Sequence, residues 1–108
     1  MMKKGLLIAL TFLISACATH YVKTDHNTIV FYLKNKKAKK VELFTNIDNF
    51  KPHKAKKIDD KTWIVTLTPN RKTIKYFYKI DGKIIVPDCK LKENDDFGGK
   101  NCIYQISS

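Results

Sequence analysis

From residue 28 onward, apolar positions recur at every second residue. Ile29, Phe31 and Leu33 are interleaved with Val30, Tyr32 and Lys34; Trp63, Val65 and Leu67 with Thr62, Ile64, Thr66 and Thr68; and Ile74, Tyr76, Tyr78 and Ile80 with Thr73, Lys75, Phe77 and Lys79. Successive side chains of an extended chain point to opposite faces, so this period predicts strands with one face in a core and the other toward water. Val41 to Phe44 reads as a further strand, Lys83 to Val86 as another that stops at Pro87, and Asn101 to Ile106 as the last, with Cys102, Tyr104 and Ile106 on one face. Asp81-Gly82 between two such segments predicts a tight hairpin, because glycine accepts the positive φ of a primed turn. Asn46 to Ala55, Asp59 to Lys61, Pro69 to Lys72 and Asp88 to Lys100 carry the Asn, Asp, Pro and Gly chemistry of loops and turns. No helical period occurs outside the first 16 residues, and turns at this spacing predict an all-β sandwich of about seven strands.

The N-terminus has a different texture. Lys3 and Lys4 precede an apolar stretch from Gly5 to Ile14, followed by Ser15, Ala16 and Cys17. A membrane-spanning helix needs roughly 20 apolar residues, which this stretch lacks, whereas a cleaved export signal needs fewer. The segment resembles a bacterial lipoprotein signal with its lipobox. That resemblance implies cleavage after residue 16, acylation of Cys17 and anchorage of the protein in a membrane by several acyl chains, which hold far more firmly than one. Ala18 in place of an aspartate implies delivery to the outer membrane, facing the periplasm. The chain then divides into a signal peptide (1–16), a lipidated cysteine with a polar tether (17–27) and one domain (28–108).

Removal of residues 1–16 from the 108-residue chain leaves 92, enough for one modest core and no second domain. The formal charge of +11 becomes +9 when Lys3 and Lys4 depart. Among 21 Lys and Arg only Arg71 is arginine, a poor composition for reading phosphates or bases in bidentate fashion, so nucleic acid is not the expected partner. The partners this charge suits in an envelope are anionic head groups or acidic polymers. With Cys17 committed to lipid, Cys89 and Cys102 remain as an even pair in an oxidising compartment, which predicts a disulfide. His20, His26 and His53 stand singly, so no metal site is expected. No serine occurs between Ser15 and Ser107, which removes a serine nucleophile from the domain, and the adjacent pairs Asp59-Asp60 and Asp95-Asp96 are not spaced across a scissile bond. Neither catalysis nor a cofactor is expected.

The segments VELFTNIDNFKP, KKIDDKTWIVTL, FYKIDGKIIVPD and DDFGGKNCIYQI occur in that order. Together they resemble the glycogen-binding early-set domain of the AMP-activated protein kinase beta subunit and its bacterial relatives, over about residues 29–106. The resemblance implies an immunoglobulin-like early-set sandwich and carbohydrate binding. Carried over position by position, the stacking tryptophan of the family corresponds to Phe50, its lysine to Phe77 in ungapped register with Lys79 two residues on, and its second tryptophan to Ile84. Its last-loop apolar contact and asparagine correspond to Phe97 and Asn101. The candidate sugar contacts are therefore Phe50, Lys79, Phe97 and Asn101, with one aromatic platform lost at Ile84. Two readings stay open: a lipid-anchored module binding an α-glucan or another envelope glycan, or a lipid-anchored domain that binds an envelope protein, its Phe50 folded onto the rim of the sandwich.

Overall fold

The structure, a computed structural model, describes residues 20–94 and 99–106. They form ten strands: β1 His20–Asp25, β2 Thr28–Lys34, β3 Val41–Thr45, β4 His53–Lys54, β5 Lys56–Lys57, β6 Thr62–Leu67, β7 Thr73–Ile80, β8 Lys83–Ile85, β9 Leu91–Asn94 and β10 Lys100–Gln105. One sheet has the order β1-β2-β6-β5; the other has the order β4-β3-β7-β10-β9, with β8 paired to β7. Every pairing is antiparallel. The chain is thus an all-β, sandwich-like fold, as the alternation predicts.

The apolar phase of each long strand is the buried one. Ile29, Phe31 and Leu33 of β2 and Trp63 and Val65 of β6 meet Val41 and Leu43 of β3, Ile74, Tyr76 and Tyr78 of β7, and Cys102 of β10. Full burial of a side chain of this size contributes about 1.5–3 kcal/mol, so this interior is the main force holding the sheets together. The rim of the core is finished by polar groups with partners: Thr45 Oγ1 accepts from Ile47 N–H at 2.8 Å, and Trp63 Nε1–H donates to the Asn35 carbonyl at 3.0 Å. Tyr78 Oη is buried without a hydrogen-bond partner, and burial drives its hydroxyl pKa upward. The expected disulfide is present between Cys89 and Cys102, with Cα atoms 5.9 Å apart, and it fastens the segment after Pro87 to β10.

Strand number and boundaries depart from expectation. Ten strands stand among the described residues rather than about seven, because the loops at 46–55 and 88–100 contain the short strands β4 and β9. The polar tether expected over residues 17–27 is also corrected, since His20–Asp25 pairs along its whole length with β2. Val22 of β1 packs against the core, while Tyr21 stacks on Tyr32 with ring centroids 4.4 Å apart. His20 shares a 2.8 Å hydrogen bond with Tyr76 Oη of the opposite sheet, which joins the two layers at this edge. Burial holds the His20 imidazole below its ordinary pKa, with the Asp88 carboxylate pulling the other way.

The hairpin at Asp81-Gly82 forms as predicted, with φ of 49° and 84°. Its aspartate has a second task. Asp81 Oδ1 accepts from the backbone N–H of both Lys39 and Lys40, each at 2.8 Å, and these bonds hold its carboxyl below the usual range.

Candidate functional site

Residues of β3 and β7 that do not enter the core point to the outer face of the second sheet. The register pairs Phe44 with Phe77 and Glu42 with Lys79 on those strands, and Lys79 with Ile84 on β8. Two apolar rings on a water-facing phase would be costly apart, so they pack on each other: Phe44 and Phe77 are 4.9 Å between centroids and within 5° of parallel.

A third ring joins them through the local geometry of the loop after β3. Thr45 caps a single 3-10 turn, Asn46–Asp48, which ends with Asn49 in the left-handed region. Phe50 follows with φ of 59°, and its N–H donates back to the Thr45 carbonyl at 2.8 Å. Asparagine adopts this conformation readily, whereas a bulky side chain seldom does. The reversal lays the Phe50 ring over Phe77, 6.0 Å between centroids and within 17° of parallel. The outcome is a ladder of three half-exposed rings on one open face.

Asn101 belongs to the same face. Its neighbour Cys102 is inward and pairs with Tyr76, so strand alternation turns Asn101 outward beside the row of Phe77, with Glu93 of β9 across from it. Only 6% of Asn101 is exposed, so its amide lies at the floor of the face rather than on a rim. Lys75 reaches Glu93 in a 2.9 Å ion pair that bounds the face on this side. Phe50, Lys79 and Asn101 therefore share one surface; Phe97 and Cys17 lie outside the described residues.

Two departures from expectation matter here. Phe50 does not stand free in its loop: it folds down onto the sheet, against the outward ring of Phe77. The sugar contacts expected from single positions also omitted Phe44 and Phe77, although each occupies the polar phase of its strand, and a phenylalanine in that phase is the sequence signal that finds them. Ile84, in the second platform position, is 66% exposed and offers an aliphatic surface rather than a ring.

This face presents three aromatic rings, an ammonium and an amide. Parallel aromatic faces suit the C–H side of a pyranose ring, and an ammonium and an amide suit its hydroxyls. Asp59 is occupied as a turn cap, accepting from the N–H of Lys61 at 2.9 Å and of Thr62 at 2.7 Å, which lowers its pKa. Among the described residues no three His, Cys, Asp or Glu side chains gather as a metal site, and no helix is long and apolar enough to cross a membrane. No family model matches the chain, and no curated protein matches it.

Proposed function

We propose that this chain is a lipid-anchored cell-envelope lipoprotein whose sandwich, of the immunoglobulin-like early-set type, is a non-catalytic carbohydrate-binding module. In this reading Cys17 carries the lipid, the protein faces the periplasm from the outer membrane, and the outer face of the second sheet takes an α-glucan or another envelope glycan. The observation that carries it is the ladder of Phe44, Phe77 and Phe50. The three stacked rings keep part of their surface open to water, one of them on a left-handed backbone, and together they make a platform suited to a sugar face. Lys79 and Asn101 supply the polar contacts beside it. Affinity is weak, because Ile84 replaces a ring and an aromatic contact contributes about 0.5–1.5 kcal/mol beyond area burial. Titration calorimetry of the full chain with maltoheptaose and with fragments of envelope glycans tests the reading: heat that disappears in Phe77→Ala supports it, and no heat with any glycan refutes it.

A protein-binding role is the second reading, and one observation favours it. Ile84 and Ile85 on the short strand β8 are 66% and 41% exposed, an apolar edge suited to another protein. Ile85→Asp separates the two, since Ile85 pairs with the inward Tyr78 rather than with Lys79, and its loss removes a protein contact while leaving sugar heats in place.

A further inference from the structure

The chain crosses from one sheet to the other between β4 and β5 with Ala55 as the only intervening residue, and Ala55 N–H donates to the Val41 carbonyl at 2.9 Å. This crossing forms the wall of the sandwich along one edge and leaves two neighbouring depressions in it. One, of about 320 Å³, is bordered by His53, Lys54 and Lys56 over a floor from β6; the other, of about 280 Å³, is bordered by Lys39, Lys40 and Lys54 over Val41, Ala55 and Trp63. Lys54 is common to both, so they run on from one another. Lys57 adds a fifth ammonium, 5.3 Å from the centroid of the Trp63 ring.

Among the described residues, none of these five lysines forms an ion pair. The ion pairs among the described residues are His26 with Asp25, His53 with Asp48, and Lys75 with Glu93. The Asp81 carboxylate accepts from the backbone N–H of Lys39 and Lys40 and also feels the Lys39 ammonium, and Glu42 stands across from Lys54 in the register, so the positive charge here is offset only in part. The like charges that remain repel one another, and an anion bound between them relieves that repulsion. The backbone that presents Lys39 and Lys40 is already fixed, by Asp81 and by Asn35 Oδ1, which accepts from Lys37 and Ala38 N–H, so the ordering cost of binding there falls on the side chains.

We infer that this lysine-bordered double groove binds an extended acidic polysaccharide, a glycan with repeating carboxylate groups. No ring of the aromatic face borders the groove, and the proposal does not rest on that face. A chain of regularly spaced anions matches two linked depressions that share a central cation. A flat anionic membrane fits less well, because the chain enters the domain at β1, the far edge of the first sheet from β5, three strand spacings or roughly 14 Å away. Nucleic acid fits less well because the groove's cations are lysines with no arginine, and Trp63, 8% exposed beneath Lys57, leaves no platform for a base.

The test titrates the purified full chain with polygalacturonate, neutral dextran, a duplex oligonucleotide and vesicles of phosphatidylglycerol or phosphatidylcholine. Lys54→Gln with Lys56→Gln is compared with Lys83→Gln and Lys92→Gln, which remove equal charge from exposed sites on β8 and β9; Lys39→Gln with Lys40→Gln repeats the test from the other depression. Thermal melts verify folding of each. Polygalacturonate binding should weaken on the order of tenfold in both groove variants, hold within about twofold in the control, and lose the difference at high salt. Equal weakening in groove and control variants overturns the proposal, leaving net charge as the cause. So does equal binding of dextran, tighter binding of the duplex, or a groove-dependent preference for phosphatidylglycerol without polygalacturonate binding.

Discussion

Replacing Phe50 separates what its ring does for the fold from what its backbone costs. The ring is half-buried and lies 6.0 Å from Phe77, while the residue sits at φ of 59°. Complete burial of a phenylalanine contributes about 3 kcal/mol at most, so half-burial with a stacked neighbour is worth about 1.5 kcal/mol. Phe50→Ala should therefore lower the melting temperature by roughly 8 °C for a domain of this size. Phe50→Gly removes the same ring but relieves the left-handed backbone, a conformation that costs a non-glycine residue about 1 kcal/mol, so it should melt about 5 °C above Phe50→Ala. Circular dichroism melts of the three proteins measure both differences, and calorimetry with maltoheptaose should show binding heat only in the wild type. An alanine variant as stable as wild type would refute the packing of the ring, and a glycine variant no more stable than alanine would refute the backbone cost. Binding heat retained in both would remove Phe50 from the sugar face.

Changing Cys89 and Cys102 together to alanine releases a cross-link of sequence separation 13 and should cost about 3 kcal/mol of stability by loop entropy, read from the guanidinium midpoint. Lowering the pH should destabilise the domain through His20, whose folded pKa is depressed by burial. Its contribution is present above the unfolded value of about 6.5 and is lost as pH falls through the folded value, so melts at pH 7.5 and pH 5 should differ less in His20→Gln. Cys17→Ser should abolish labelling by a fatty-acid analogue and leave a larger precursor on a gel.

The long strands were legible because burial is one-sided in them. In β7, Ile74, Tyr76 and Tyr78 are almost fully buried while Lys75, Phe77 and Lys79 are not, and that contrast is what a period of two records. β9 carries no such contrast, since Leu91, Lys92 and Asn94 are all exposed at a sheet edge and Glu93 is half-exposed, and its pairing with β10 rests on backbone hydrogen bonds. β1 is similar, with Val22 its one apolar residue packed on the core and the polar His20 turned the same way. Family resemblance brought Phe50, Lys79 and Asn101 into view, and the structure sets them on one face. It did not foretell the ladder, because the contact of Phe50 with Phe77 depends on a left-handed reversal that Asn49 favours and Phe50 does not. The lysine groove depends on the crossing at Ala55, a tertiary event that composition registers only as charge.

The early start of β1 bears on how far this protein reaches. With Cys17 as the acylated residue, three steps along the chain arrive at His20, already hydrogen-bonded into a sheet. Three residues extend roughly 10 Å at most, about the thickness of the head-group layer itself. On the proposed reading such a leash would allow no sweep through the surrounding space; the body would stand directly on its membrane, and tumbling would give way to limited rocking. Whatever it captured would be held within one domain's width of the lipid surface, where many identical copies diffusing in two dimensions would act as a coating whose weak individual contacts add.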